Sequence, residues 1–164
     1  MSKADPNQQN EIAREVPFRT TLHVREHCLC LHTQRAARAI ARRFDQAFQH
    51  LDLKSGQFSL LMSLNRPEPP TLGSVSTLLG MDRTTLTANL KPLERRGLVE
   101  VRPDEKDRRA RRLILTANGL SLLAEAAPIW ETTQAEIEGW LSTPDADALR
   151  AGLNAIRDRG ATPE

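Results

Sequence analysis

A run of short hydrogen-bonding side chains lies between Arg83 and Lys91, in a segment that reads RTTLTANLK. Hydroxyl and amide groups of this size can hydrogen-bond to base edges, and asparagine pairs best with adenine. The two flanking cations can meet phosphate groups. The spacing therefore predicts a helix that reads DNA in the major groove. Its predicted contact residues are Arg83, Thr84, Thr85, Thr87, Asn89 and Lys91.

A second charged cluster lies between two segments that alternate like half-buried strands, 98–102 and 112–116. Such an arrangement predicts a hairpin with a long polar tip. Arg109, at this tip, is long enough to enter a minor groove, which attracts arginine where it is narrow. Asp107 precedes it by two residues, so we expect the carboxylate to hold the Arg109 guanidinium in place. The second set of predicted DNA contacts is therefore Asp107, Arg108 and Arg109.

Three of the four histidines and both cysteines lie in the segment 23–32. His23, His27 and Cys30 are spaced i, i+4, i+7, so a continuous helix would place them on one face. Such a set could bind a transition metal, expose a reactive thiol, or line a pocket that pairs with an acidic aromatic ligand. Pocket lining is the favoured interpretation because no fourth metal ligand is evident, and we expect neither a metal nor a cofactor. The ligand or sensor candidates are His23, His27, Cys30, His32, Arg38 and Arg42.

The base-reading helix needs a partner helix and a tight turn, and the preceding residues supply both. The segment 72–79 is predicted to be a helix, followed by Gly80 in the left-handed conformation that suits a helix end. Asp82 suits the N-cap of the next helix because its carboxylate can accept orphan amide protons. Pro92 is expected to kink that helix, and Gly97 to end it.

Long helices flank this centre. We predict helices over 20–50, over 56–64 with Ser55 as the N-cap, and over 116–141 with a bend near the middle. The segment 143–145 is expected to begin a final helix, with proline in its first turn. The outer helices carry more apolar surface than one small domain needs, which favours a dimer interface.

The predicted fold class is mainly α with a small β-wing: a winged helix-turn-helix, dimeric, with N- and C-terminal dimerisation helices. Residues 1–18 are predicted to be a disordered N-terminal tail. Residues 19–50 and 117–160 are predicted to form the helical dimerisation region, and residues 51–116 the winged helix-turn-helix DNA-binding region. A length of 164 residues suits one such domain.

Charge is distributed unevenly along the chain, although the net charge is only +2. Residues 91–112 hold nine Lys or Arg against five Asp or Glu, whereas residues 113–164 hold three against eight. A basic centre and an acidic end suit a protein that meets a polyanion through one face.

Several other classes of protein do not fit the sequence. Two cysteines in 164 residues do not make a disulfide framework, and the polar N-terminal segment is unlike a signal peptide. No apolar run approaches the ~18 residues that span a bilayer, so we expect a cytoplasmic protein with no membrane partner. No Gly-rich phosphate loop, zinc-protease motif or Ser-x-x-Lys pattern is found, so we expect no enzymatic activity.

The stretch 79–119, LGMDRTTLTANLKPLERRGLVEVRPDEKDRRARRLILTANG, resembles the MarR family of bacterial transcription regulators. The family's wing signature, Asp-x-Arg, is found at Asp107-Arg108-Arg109. Its Leu-Thr ending followed by glycine is found at Leu115-Thr116 and Gly119. The flanking helices match in order and length, so the resemblance covers roughly residues 20–158.

The resemblance implies an obligate homodimer with a winged helix-turn-helix lobe on each subunit, bound to double-stranded DNA at a pseudo-palindromic operator. It also implies repression relieved by a small molecule, often phenolic or another aromatic acid, bound between the two regions. The predicted function is therefore a sequence-specific transcription regulator, a repressor released by such a ligand.

The alternative is a thiol-based redox or metal-responsive regulator of the same fold, using Cys30 with His23 and His27. The segment Leu29-Cys30-Leu31 resembles the reactive-cysteine segment of the family's organic-hydroperoxide sensors. Those sensors use tyrosines to activate the thiolate, whereas this chain contains no tyrosine.

Overall fold

A computed structural model describes residues 16–107 and 109–160 of the chain. These residues form seven α-helices and one two-stranded antiparallel sheet, which confirms the prediction of a mainly α fold with a small β-wing. They divide into two units, the first ending at Arg38 and the second beginning at Ala39. In chain order the elements are α1 (Phe18–His27), α2 (Leu29–Ala47), α3 (Ser55–Leu64), α4 (Leu72–Leu79), α5 (Arg83–Arg95), β1 (Val99–Pro103), β2 (Arg111–Leu115), α6 (Ala117–Glu138) and α7 (Ala146–Gly160).

In the first unit, the prediction of one continuous helix over 20–50 is wrong. The helix is broken at Cys28, whose backbone is extended with φ −72° and ψ 104°. Across the break, a ring nitrogen of His32 lies 3.1 Å from the Glu26 carbonyl oxygen. Composition gave no sign of this break, because the segment contains neither proline nor glycine. The predicted disordered tail lies outside the described residues, apart from its last three.

The second unit is built around one hydrophobic core, to which the C-terminal end of α2, α3, α5, the sheet and α6 contribute. Within it the rings of Phe48 and Phe58 are stacked, with centroids 4.9 Å apart. α4 contributes Val75 to this core, whereas its Leu78 is 59% exposed. The buried core residues are Phe44, Phe48, Leu53, Phe58, Leu60, Leu61, Leu64, Val75, Leu86, Leu90, Leu93, Leu98, Val99, Leu113, Leu123, Ala126 and Ile137.

The start of α3 differs from the prediction, because Ser55 is its first residue and not its N-cap. Lys54 occupies the N-cap position, and its backbone N–H donates to the side-chain oxygen of Gln57 at 3.0 Å. The Ser55 amide donates instead to the Asp45 carboxylate of α2, at 2.7 Å. A neighbouring helix thus satisfies one of the free amides of α3, which a local capping rule does not anticipate.

The two strands pair antiparallel, with Val99 opposite Leu115. They lie within one residue of the predicted segments at each end. The loop that leads into α4 joins the same hairpin, since the Leu113 amide donates to the Pro70 carbonyl at 2.9 Å. The sheet is therefore attached to the start of the helix-turn-helix as well as to its end.

The C-terminal helices begin and end differently from the prediction. α6 continues through Pro128 and ends at Glu138, and α7 begins only at Ala146. Asp145 acts as the cap of α7, because its carboxylate accepts the Ala148 amide at 2.8 Å. Proline therefore precedes this helix and does not occupy its first turn.

Several apolar side chains of the outer helices are exposed in the single chain. Neither α1 nor α7 has a buried residue. Trp140, just after α6, is 57% exposed, and Ile156 of α7 is 58% exposed. Of the helices in residues 16–107 and 109–160, none is both long and apolar enough to cross a membrane.

Candidate nucleic-acid interface

The turn between α4 and α5 is built by local chemistry. Thr71 caps α4 by accepting the Ser74 amide at 3.1 Å. Gly80 ends α4 with a φ of +60°, a left-handed conformation that favours glycine. Asp82 then caps α5, since its carboxylate accepts the amide and the hydroxyl of Thr85, each at 2.8 Å. The predicted turn and its end signals at Gly80 and Asp82 are confirmed.

The Asp82 carboxylate also supplies a fixed negative charge. Hydrogen bonds from the Thr85 amide and then from the Thr85 hydroxyl hold the pKa of Asp82 below its ordinary value of 3.8. The charge lies at the N-terminal end of α5, where the helix dipole is positive. The cap therefore stabilises the first turn of the helix that is expected to enter the groove.

The outward side of α5 follows from the residues that are buried. Leu86, Leu90 and Leu93 pack into the core, so the opposite side carries the residues at i, i+4, i+7 and i+11 from Thr84. All four are exposed, and we call them the reading face: Thr84, Ala88, Lys91 and Arg95. Sequence reasoning named the first and third and missed the other two. The side of the helix opposite the leucines is the signal that would have found them.

The other predicted contacts on α5 make hydrogen bonds within the protein. The Thr85 hydroxyl is held by the helix cap, and the Thr87 hydroxyl donates to the Arg83 carbonyl at 2.7 Å. The Asn89 amide donates to the Thr85 carbonyl at 3.0 Å. Asn89 also lies against α3, because a Cβ atom at Gly56 would be 2.9 Å from its side-chain oxygen. Asn89 is thus off the reading face, while Arg83 is exposed at the first turn.

The hairpin tip positions Arg109 through its backbone. The Asp107 carboxylate accepts the Arg109 amide at 2.9 Å, and the Asp107 carbonyl accepts the Ala110 amide at 2.9 Å. The prediction that this carboxylate holds the guanidinium is wrong, because it holds the turn instead. Arg109 is exposed, and no ion pair within the described part of the chain involves it. Arg108 lies outside the described residues.

Asp104, at the start of the tip, was missed by sequence reasoning. It is the one charged side chain that is buried among residues 16–107 and 109–160, with 6% of its surface exposed. It accepts the amides of Asp107 and Lys106, both at 2.8 Å, and the Arg112 guanidinium. The Asp107 amide, the Arg112 guanidinium and the Lys106 amide hold the pKa of Asp104 below its ordinary value of 3.8. The Pro-Asp pair before a turn is the signal that would have found it.

α5 is also fixed at its far end. Arg96, its C-cap, donates to the carbonyls of Leu51 and Asp52, the first at 3.0 Å. These carbonyls lie in and just after a short 3-10 turn, Gln49–Leu51, that follows α2. One guanidinium therefore joins the end of α5 to the segment that follows α2.

The predicted sensor face of the first unit is not assembled. His23 and His27 lie in α1 with stacked rings, their centroids 4.3 Å apart. Cys30 lies in α2, beyond the break at Cys28, and its sulfur accepts the Gln34 amide at 3.2 Å. The part of the chain that the structure describes contains no group of three or more His, Cys, Asp or Glu that could hold a metal ion. The predicted alternative of a metal bound by both histidines and Cys30 is therefore not supported.

The remaining sensor candidates are exposed polar side chains. The His32 ring lies against the Glu26 carbonyl across the helix break. Arg38 donates to the side-chain oxygen of Gln34 at 3.2 Å. Arg42 is also exposed. No two of these three residues share a hydrogen bond within residues 16–107 and 109–160.

A capped helix-turn-helix with an exposed reading face, followed by a wing with arginine at its tip, is an arrangement that binds DNA. Residues 53–110 match the model of the MarR family. The structure is similar to the transcriptional regulator MosR of M. tuberculosis in complex with DNA. The TM-score is 0.73 and the identity 34%, covering 81% of this chain and 96% of that one. The chain belongs to the MarR family.

Two further proteins resemble this MarR-family chain. The transcriptional repressor CouR, bound to a 23-mer DNA duplex, has a TM-score of 0.72 and 27% identity, covering 87% of this chain and 99% of that one. The transcriptional repressor MprA of Escherichia coli (strain K12) is 28% identical over 137 residues, 82% of this chain and 74% of that protein. The chain is therefore a DNA-binding transcriptional regulator, and the relatives it matches are regulators rather than enzymes.

Proposed function

We propose that this MarR-family regulator is a repressor that binds a pseudo-palindromic operator as a homodimer and is released by a small aromatic or phenolic ligand. The observation that carries the DNA part is the reading face of α5, which is exposed along its length in the same unit as the exposed Arg109. Thr84 and Ala88 are small enough for close approach to base edges, and Lys91 and Arg95 suit phosphate. The names of CouR and MprA as repressors support the sign of regulation.

Pairing of two copies is proposed because the outer helices have uncovered apolar faces. α7 has no buried residue, and the side chains of Trp140, Leu153 and Ile156 are exposed. Apolar burial contributes about 25 cal/mol per Å², so covering these faces with a second copy would stabilise both. In this proposal residues 19–50 and 117–160 form the dimerisation region, and residues 51–116 bind DNA. A two-fold axis would then place the two α5 helices on half-sites about one helical turn apart.

An anionic aromatic effector is proposed from the chemistry of the sensor candidates. The stacked rings of His23 and His27 offer a flat aromatic surface in α1. Arg38 and Arg42 are exposed guanidinium groups, which bind carboxylates with two parallel hydrogen bonds. Within the first unit, the rings of His23 and His27 suit the aromatic ring of a hydroxybenzoate-type acid, and Arg38 suits its carboxylate.

Fluorescence anisotropy with a duplex from upstream of its own gene tests this function. We expect saturable binding, with one dimer per duplex by sedimentation, and weak binding to a scrambled duplex of the same length. The logarithm of affinity should fall with the logarithm of salt concentration by ~0.9 per phosphate contact. Addition of hydroxybenzoate-type acids should release the duplex. A flat salt response, or equal affinity for both duplexes, would contradict the proposed reading face.

The alternative trigger, a reactive thiol, is favoured by one observation in the first unit. Cys30 is exposed, and Cys28 lies two residues away at the break between α1 and α2. In one thiol's reaction with an organic hydroperoxide, the sulfur is oxidised to sulfenic acid and the hydroperoxide is reduced to its alcohol. Condensation of that sulfenic acid with the second thiol would give a disulfide and water.

Peroxide treatment followed by the same anisotropy assay separates the two triggers. If the thiol is the trigger, cumene hydroperoxide should release the duplex from the native chain, whereas the variant Cys30→Ser should remain bound to the duplex. Cys28→Ser removes the second thiol and therefore shows whether release requires the disulfide, and intact mass distinguishes sulfenic acid from disulfide. Release of the Cys30→Ser variant by the same dose would exclude this thiol as the trigger.

A further inference from the structure

The tip of the wing, between β1 and β2, is anchored by a carboxylate, whereas apolar side chains anchor the strands themselves. Of the described residues in the tip, 103–107, 109 and 110, Asp104 alone is buried. A buried carboxylate is stable only when donors surround it. Asp104 has three: the amides of Lys106 and Asp107, and the Arg112 guanidinium. The two amides belong to the tip itself, whereas Arg112 lies on β2 and connects the carboxylate to residues outside the tip.

Arg112 connects that carboxylate to the helix-turn-helix. Its Nε atom donates to Asp104, and another guanidinium nitrogen donates to the Pro69 carbonyl at 2.7 Å. The Arg112 backbone pairs with Thr71, and Thr71 is the N-cap of α4. Through its side chain and its backbone, Arg112 therefore ties the wing tip to Pro69 and Thr71, just before α4.

We propose that Asp104 and Arg112 are positioning residues for DNA recognition, which fix the wing relative to α4 and α5 so that Arg109 reaches the groove. The inference rests on the proposed contact between Arg109 and DNA. The chain of contacts is continuous: Asp104 accepts the Asp107 amide, and the Asp107 carboxylate accepts the Arg109 amide. The Asp104 carboxylate, five residues earlier, therefore fixes the position of the Arg109 backbone.

The same hairpin contains a second carboxylate–guanidinium pair that lacks this connection. Glu100 accepts two hydrogen bonds from Arg102, at 2.7 and 2.8 Å, and both side chains are exposed. Both residues belong to β1, so the pair does not connect one element to another. Exposed pairs of this kind contribute little to stability. Glu100→Gln is therefore the matched control for Asp104→Asn, because each removes one carboxylate charge from the wing.

A double-mutant cycle on operator affinity tests the proposal. We expect Asp104→Asn to weaken binding about tenfold in the native background. In an Arg109→Ala background the same substitution should cost less than about twofold, because its effect is transmitted through Arg109. Glu100→Gln should change affinity in neither background. If Asp104→Asn reduced operator affinity equally in both backgrounds, the positioning role would be wrong, whereas the contact between Arg109 and DNA would not be contradicted. No loss from Arg109→Ala alone would overturn the wing contact itself.

Hydrogen exchange on the free protein gives a readout that does not depend on DNA. In Asp104→Asn, and likewise in Arg112→Gln, the amides of Lys106 and Asp107 should exchange at least about tenfold faster. The amides of α5 should keep their native rates, which would show that the helix-turn-helix remains folded. Native rates at the two wing amides, or equal acceleration throughout α5, would contradict a role confined to wing placement.

Discussion

Replacing Arg109 with alanine should weaken operator binding about 10- to 100-fold, the range found for losing one specific arginine contact. The structure holds the Arg109 backbone through the Asp107 carboxylate, and no ion pair within the described residues involves its side chain. Removing the side chain therefore takes away the proposed DNA contact without breaking an ion pair among the described residues. Anisotropy titrations on operator and scrambled duplexes would measure the loss, and the salt dependence should become shallower by about one phosphate contact at most.

Arg102→Ala is the matched control for this prediction. Arg102 lies on the same hairpin and carries the same charge, but its guanidinium is bound by Glu100. We expect less than about a threefold loss of affinity from it, because an exposed pair contributes little. Both variants should sediment as the native protein does. Equal losses from the two arginines would mean that the wing acts through its overall charge, and no loss from Arg109→Ala would remove the wing from the interface.

Replacing Gly119 with alanine should destabilise the fold by about 3 kcal/mol, a large part of the stability of a typical domain. Gly119 lies in the first turn of α6, where a Cβ atom would be 2.2 Å from the Leu98 carbonyl oxygen and 2.7 Å from a Leu115 methyl group. Thr116 caps α6 and donates to the Gly97 carbonyl at 2.7 Å, which fixes this close approach. Urea unfolding at equilibrium would measure the change.

Gly73→Ala supplies the control. Gly73 lies in α4, and the nearest heavy atom to its added Cβ would be the Thr71 hydroxyl oxygen, 4.0 Å away. Helix propensity alone favours alanine at both positions, so we expect Gly73→Ala to stabilise the protein by about 0.5–1 kcal/mol. A lower free energy of unfolding for Gly119→Ala would then be due to the steric contact of the added Cβ with Leu98 and Leu115. If both substitutions stabilised the protein, the close packing of α6 on the wing would be wrong.

The features that could be predicted from the sequence depend on neighbours a few residues apart. Gly80 and Asp82 define the turn between α4 and α5 because a left-handed glycine and an N-cap act within four residues. The leucine spacing of α5 gives its buried side for the same reason. The strands were found from alternation, to within a residue at each end.

The features that could not be predicted depend on groups distant in sequence or on a choice between equivalent donors. Asp45 of α2 receives the first amide of α3, ten residues later. Asp104 is buried because Arg112 reaches it from the other strand. Asp107 could have bound the side chain or the backbone of Arg109, and spacing alone does not distinguish them. The break at Cys28 could not be predicted, because the segment contains no proline or glycine.

Arg96 links the C-terminal end of α5 to the segment that follows α2. Because its guanidinium bonds the carbonyls of Leu51 and Asp52, a movement of the C-terminal end of α5 relative to the segment after α2 would break both hydrogen bonds. A displacement of the segment Gln49–Asp52 would then pull on the C-terminal end of α5. In the proposed dimer, such a shift would change the separation of the two α5 helices. Operator release would then be a loss of fit to the pitch of the DNA, with each helix still folded.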